Sequence, residues 1–334
     1  MPVCFNTLGR APLSRTWALA AGVMAAVLFA HKTASAADYP AQAVSIIVPQ
    51  AAGGVNDIVA RQMAVSLGES LAGNFIVVNK PGAGGNIGTE FAARSKPDGH
   101  TLLLTITPHV INPFLYKSVG YDPVKDFEPI ALLAVLPSVL VAHPAFPANN
   151  IAELIALAKR QPGKIAYGTG GNGSLPHIAG EKLKMDAAIS LIHVPYRGIA
   201  PAIVDTMAGT IPLAFGSVSS VIGHLNSGKL KALGVTGATR SAAIPNVPTF
   251  SESLPGYSMD LWVGLFAIAG TPQPVVESLQ KAASKALDSA EIKKQFLAVG
   301  AEPQQGTAAS FAAKVKSDLQ LYQQVVQRSG ATVD

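Results

Sequence analysis

The sequence predicts an α/β protein built from two parallel-sheet domains with a ligand cleft between them. Three observations carry that expectation. Short apolar runs alternate with helical stretches of about 10–15 residues, the pattern of parallel βαβ units. The alternation runs twice, and each series has its own glycine-rich loop at a strand end. The composition, 49% hydrophobic and 13% charged over 334 residues, provides a sizeable core and excludes a disordered chain.

The first series opens with a strand over Val44 to Pro49, broken by Ala52-Gly53-Gly54. Asn56 or Asp57 is placed to cap a helix running to about Leu71. Phe75 to Val78 reads as the next strand, Pro81-Gly82-Ala83-Gly84-Gly85 as a loop, and Ile87 to Ser95 as a helix. Pro97-Asp98-Gly99 makes a turn into the strand Thr101 to Ile106. Ile130 to His143 holds two β-like stretches around Pro137. The second series then runs as helix Ala152–Arg160, strand Ile165–Thr169, loop Gly170 to Ser174, helix His177–Lys184 and strand Ser190–Val194. Pro195-Tyr196-Arg197-Gly198 leads into the helix Ala200–Ala208, and strands follow at Ile211–Phe215 and Leu230–Thr236. A strand near Trp262 to Ile268 passes through Gly270-Thr271-Pro272 to closing helices over Pro274–Asp288 and Ala309–Gln327. Those helices fit best if the chain returns to the first domain, which gives domains of 37–138 plus 260–334 and 139–259. The crossings near 138 and 259 then act as a hinge.

The N-terminus stands apart. Arg10 and Arg15 precede an apolar run from Trp17 to Ala30, and Ala34-Ser35-Ala36 is a small-x-small site, the order of a secretory signal peptide over 1–36. The run of 14 residues is shorter than the roughly 20 that span a bilayer. Cys4, the only cysteine, leaves with that segment, so disulfide scaffolds and cysteine-rich metal centres are excluded. Removing Arg10, Arg15 and Lys32 leaves 22 basic against 20 acidic residues, which is no nucleic-acid footprint. The reading is an exported, soluble, cysteine-free protein, taken as a monomer.

Pro81 to Gly88 invites a dinucleotide-binding reading, but the fingerprint needs glycine where Ile87 stands, and no acid follows at the required distance. Glycine-rich backbone entering a helix still offers N–H groups and a positive dipole end to a carboxylate or phosphate. Ser174 and His177 could pair as nucleophile and base, yet no G-x-S-x-G surrounds them, and Ser174 before Pro176 suits an N-cap. The remaining histidines, among them His100, His143 and His224, show no metal-ligand spacing. Arg197 follows a strand and either meets a ligand anion across the cleft or joins an ion pair; Tyr196 is divided between packing and a stacking surface, and Trp262 between core and pocket.

Taken in order, Ala52-Gly53-Gly54-Val55-Asn56-Asp57, Val78-Asn79-Lys80-Pro81-Gly82-Ala83-Gly84-Gly85-Asn86-Ile87-Gly88, Lys96-Pro97-Asp98-Gly99, Tyr167-Gly168-Thr169-Gly170-Gly171-Asn172-Gly173-Ser174, Val194-Pro195-Tyr196-Arg197-Gly198 and Gly228-Lys229-Leu230-Lys231-Ala232-Leu233-Gly234-Val235-Thr236 resemble the Bug family. These are extracytoplasmic solute receptors of tripartite tricarboxylate transporters. The resemblance implies a two-domain periplasmic-binding-protein clamshell of type II, no catalysis, no cofactor or metal, a small carboxylate ligand (a di- or tricarboxylic or aromatic acid), and membrane permease subunits as partners. It also implies site roles: Gly53 and Gly54 in the first carboxylate loop, Gly84 and Gly85 in the second, Thr105 and Thr107 as hydroxyls at the third strand end. Thr169, Gly170, Asn172, Ser174, Tyr196 and Arg197 face them from the other domain. Gln50 departs from the aromatic residue common in the family, and His109 is placed to reach a distal ligand group. The same cleft chemistry suits a sensor docking on a receptor kinase, and an exported hydrolase is the enzymatic alternative. The expected anchor for the ligand carboxylate is backbone N–H around Gly53, Gly54, Gly84 and Gly85, without a side-chain cation from that domain.

Overall fold

The computed structural model describes residues 1–2 and 39–333; Cys4, the apolar run and the cleavage site lie outside the described residues. Two sheets organise residues 39–333. In the first, β1 (Val44–Val48), β2 (Phe75–Asn79) and β3 (Thr101–Ile106) are parallel in the order β2-β1-β3. Beside β3 lies β10 (Leu261–Ile268), antiparallel, then β4 (Phe127–Leu136) and the two-residue β11 (Glu302–Pro303). The second sheet runs β7 (Ile192–Pro195), β6 (Ala166–Thr169), β8 (Leu213–Ser217), β5 (Ser138–Ala142), β9 (Lys231–Val235), with β5 antiparallel to both neighbours. Both sheets share one plan of three parallel strands, one reversed strand lying next to a crossing, and a further strand in the original direction, to which the first sheet adds the antiparallel β11 at its edge.

Register shows which ends meet. β3 ends at Ile106 beside Val263, near the start of β10, and β4 ends at Leu136 beside Leu261. In the second sheet β8 ends at Ser217 beside Ser138, the start of β5, and β9 ends at Val235 beside Val139. Both crossings, at Pro137 and over 236–260, therefore join the carboxyl edge of one sheet to that of the other. The loops that follow the parallel strands of each sheet emerge at these edges, where ligands bind in open α/β sheets.

The helices are α1 (Val55–Leu71), α2 (Asn86–Ala93), α3 (Pro108–Leu115), α4 (Ile151–Arg160), α5 (Leu175–Ala187), α6 (Ile199–Met207), α7 (Val218–Asn226), α8 (Gln273–Asp288), α9 (Ala290–Ala298) and α10 (Ala308–Ser329). On α10 the buried Phe311, Val315, Asp318, Tyr322 and Val326 recur at helical spacing, and the helix packs on β4, α3 and α5. Trp262 is core: it is fully buried against Phe311 and Phe266, and its Nε1 donates to Asp318 Oδ2 at 2.9 Å.

Several elements differ from the sequence reading, which has neither α9 nor β11. α1 begins at Val55 behind an N-cap at Gly54, so neither Asn56 nor Asp57 is the cap. Pro176 stands second in α5, after Leu175. α3 was not expected: Pro108 at its start suits a first turn, and Pro113 lies within the short helix.

Candidate functional site

At the first sheet's carboxyl edge, β1, β2 and β3 deliver the chain to α1, α2 and α3, and none of these three helices has a side-chain N-cap bond. The Asn150, Ser174, Ser217 and Thr307 side chains cap α4, α5, α7 and α10. α8 also lacks a side-chain cap, but it follows β10, whose final residues lie beside the start of β3 at the opposite edge. At this edge α1 and α2 thus have uncapped starts that leave N–H donors open and carry about half a positive charge each, whereas α3 opens on Pro108, which has no N–H, behind the buried Thr107.

The structure divides the four expected backbone donors. Gly53, at φ 87°, donates its N–H to Asp57 Oδ2 at 2.9 Å, so an internal carboxylate already occupies that donor. Arg61 Nε and Asn79 Nδ2, each at 3.0 Å, hold Asp57 in place. Burial alone would raise the Asp57 pKa, but these bonds and the Arg61 charge outweigh it and keep the group below the ordinary carboxylate range. Gly85 N–H is likewise engaged, by Gly82 C=O at 2.9 Å. Gly54 and Gly84 N–H have no partner among the described residues, and both glycines are exposed.

Side chains lock the two loops together. Gln50 Oε1 accepts from Asn56 Nδ2, and Gln50 C=O accepts from Asn79 Nδ2 at 3.1 Å. Its Nε2 lies 3.2 Å from where a Cβ on Gly85 would sit. Asn112 Nδ2, from α3, donates to Gly84 C=O at 3.1 Å and to Asn86 Oδ1 at 2.7 Å. Asn79, Asn86 and Asn112 carry no site role in the sequence reading and Asn56 only that of a helix cap; only their position beside glycine loops could have pointed to them.

At the third strand end both threonines are buried. Thr107 Oγ1 donates to Asp260 C=O (3.1 Å) and accepts from Trp262 N–H (2.8 Å), which ties the strand end to the returning crossing and leaves it fully buried. Thr105 is buried in β3 opposite Gly264. His109 also points into the interior. It is buried, stacked on Tyr121 at 5.4 Å, flanked by Phe127 and Phe266, and its Nε2 meets Pro123 C=O at 3.1 Å. Burial pushes its pKa down to about 4, against the smaller opposing effects of the Pro123 bond and Asp122, so the ring is a neutral core group.

Across the cleft, the 170–174 and 195–198 loops pack as a pair: Tyr196 N–H donates to Thr169 C=O (3.0 Å) and Gly198 N–H to Gly170 C=O (3.2 Å). Thr169 is buried, with Oγ1 2.7 Å from His193 Nε2. Ser174 Oγ donates to Gly171 C=O at 2.7 Å and accepts from His177 N–H at 3.4 Å, a capping arrangement. Tyr196 donates its hydroxyl to Asp205 Oδ2 at 2.7 Å; burial, then that bond and charge, push its pKa up to about 12. Asn172 and Arg197 are exposed, and Arg197 makes no ion pair or hydrogen bond among the described residues. Gly198, at φ 95°, starts α6 without a side-chain cap. The two edges approach each other where a Cβ on Gly173 would lie 3.3 Å from Leu115 Cδ1 of α3.

Among the described residues no group of three His, Cys, Asp or Glu side chains could hold a metal ion, and no helix is long and apolar enough to cross a membrane. A family model described as the tripartite tricarboxylate transporter family receptor matches residues 59–331. BugT of Bordetella pertussis is 33% identical over 300 residues, covering 89% of this chain and 92% of that one. Among solved structures, the periplasmic binding protein BugD is similar at TM-score 0.67 and 35% identity, covering 88% of this chain and 99% of that one. An R. palustris protein solved with adipate matches at 0.70 and 30%, covering 88% and 99%, and MatC from Rhodopseudomonas palustris with bound malate at 0.66 and 30%, covering 86% and 100%. The fold is thus the α/β clamshell of periplasmic binding proteins. With nearly all of the chain from Val59 onward inside the family model, and with relatives matched almost end to end, this chain belongs to the tripartite tricarboxylate transporter family of receptors.

Proposed function

We propose that this protein is a periplasmic receptor that holds a small organic carboxylate between its two facing loop sets and delivers it to the permease subunits of a tripartite transporter. The observation that carries this reading is the pair of uncapped helix starts, those of α1 and α2, at one sheet edge, with Gly54 and Gly84 N–H unpartnered. Oriented donors lose little entropy on binding, so they favour an anion without a side-chain cation. In this scheme residues 39–138 with 260–333 form the lobe that anchors the proximal carboxylate. Residues 139–259 form the lobe whose Arg197 and Asn172 meet the distal end of the ligand. The adipate and malate complexes of relatives support a short dicarboxylate as the first class to test. A hydrolytic role is disfavoured because His177 Nδ1 accepts from Gly173 N–H and does not meet Ser174 Oγ.

The test is thermal unfolding of the mature chain against a carboxylate panel that includes adipate, malate, citrate and aromatic acids. A true ligand at 100 times its Kd adds about 2.7 kcal/mol to stability. No stabilisation by any acid, together with saturable ester hydrolysis lost in Ser174→Ala, would overturn the receptor reading.

A further inference from the structure

Behind the Gly170–Ser174 loop two imidazoles lie face to face. His177, on the first turn of α5, and His193, on β7, have ring centroids 4.0 Å apart and planes within 16° of parallel. His177 Nδ1 accepts the Gly173 N–H at 3.1 Å, and its Nε2 lies 3.7 Å from Glu181 Oε1. His193 Nε2 is 2.7 Å from Thr169 Oγ1, which also meets the Gly171 C=O and N–H, each at 3.3 Å. One ring therefore holds the far end of the glycine loop directly, and the other holds its near end through one hydroxyl.

We propose that this stacked pair is the positioning device of the Gly170–Ser174 loop: neutral rings hold the loop in place, and charging them releases it and weakens the grip on ligand. The last step rests on reading this loop as ligand-facing.

Hydrogen-bond chemistry sets the direction. Nδ1 of His177 can accept from Gly173 only while it carries no proton; once protonated, two N–H groups confront each other. Two imidazolium rings at this separation would also repel. The charged and titratable groups facing the pair are Glu181 and Lys184 from α5 and Tyr167 from β6, whose ring lies 5.2 Å from His193. α10, which also packs on α5, adds no charge among those acting on either ring. Glu181 is already engaged: Oε1 accepts from Tyr167 Oη and Lys184 Nζ, both at 2.9 Å, and Oε2 accepts from Lys184 at 2.8 Å. It is no free counter-ion for an imidazolium. Burial, the largest effect on both, lowers each imidazole from its ordinary value, and the neighbouring ring helps push His193 down to about 4. With both folded values depressed, loop closure is complete above about pH 6.5 and is lost progressively as pH falls from there toward about 4.

The experiment is side-chain 15N NMR with amide hydrogen exchange on the ligand-free mature chain, from pH 7.5 to 4. The expected result is an unprotonated His177 Nδ1 at pH 7.5. Gly173 protection, corrected for intrinsic exchange, should fall about tenfold per pH unit below 6.5. His177→Asn keeps an acceptor but cannot titrate and should make that curve much flatter; His177→Phe should leave Gly173 unprotected throughout. If the phenylalanine variant does not fold, wild type and the asparagine variant decide. Wild-type protection that is flat with pH, or an asparagine variant that follows the wild-type curve, would overturn the proposal. Adipate and malate then serve as probes. Binding about tenfold weaker at pH 5.5 than at 7.5 in wild type, but not in His177→Asn, supports both the device and the loop's role. Loop amides that respond to pH and to neither probe support the device and overturn the ligand-facing reading alone.

Discussion

Gly53 and Gly84 both sit at positive φ, 87° and 65°, yet their surroundings differ. A Cβ on Gly53 would meet nothing within 4 Å, whereas one on Gly84 would lie 2.6 Å from Tyr116 Oη and 3.4 Å from Asn112 Nδ2. Left-handed strain alone costs about 1–3 kcal/mol at either site. Of the two, only Gly84 adds a collision with neighbouring side chains at a residue whose N–H is free. Gly53→Ala should therefore lower stability by about that amount and keep carboxylate binding, while Gly84→Val should abolish binding of every ligand tested. Arg197→Ala should instead alter the ranking of ligands, because that exposed guanidinium has no structural partner to lose. Calorimetric titration of the three variants checks this. Universal loss in Arg197→Ala with intact binding in Gly84→Val would reverse the assignment of anchor and selector.

Among the elements, what separates α1 from α5 is the residue that precedes each. Gly54 leaves the start of α1 open, whereas Ser174 closes the start of α5 through its own hydroxyl. An open start is a donor set for an anion; a closed one is a framework joint. Ser174→Ala should cost about 1 kcal/mol and lower Tm by about 2–4 °C, as cap removal does. Affinity should change little, since both of its bonds stay within the loop and helix. A loss of binding as large as that in Gly84→Val would make Ser174 a ligand donor after all. α3 belongs to the same argument: its Asn112 braces Gly84 C=O, so a helix that the prolines obscured in the sequence helps shape the second loop.

For the whole molecule, the crossings and the contacts beside them govern closure. Thr107, just past β3, is tied to Asp260 at the end of the crossing and to Trp262 at the start of β10. On another face, Glu302 Oε1 of β11 accepts from Ser241 Oγ at 2.6 Å and Ala242 N–H at 3.1 Å, bordering a cavity of about 250 Å³ that Pro137 also lines. Among the described residues two stretches of chain connect the sheets, so relative motion should concentrate at 136–138 and 236–260. Small-angle scattering should show a smaller radius of gyration with saturating ligand than without. Identical dimensions in both states would argue against hinge closure.

The sequence by itself determined the strand–helix alternation, the two glycine loops, the Ser174 cap and the family, because each rests on residues near one another in the chain. Spacing, propensity and turn chemistry are local and can be read without coordinates. Tertiary structure alone decided which donors stay open. Asp57 is four residues from Gly53, but the Asn79 that fixes it is 22 residues further on, and the partners of Thr107 lie more than 150 residues away. The same holds for His109, drawn into an aromatic core by Phe266, and for the His177–His193 stack, which exists only because β7 lies beside β6. Hydrogen-bond capacity is set by residue type, but whether a group is free is set by what the fold brings within 3 Å of it.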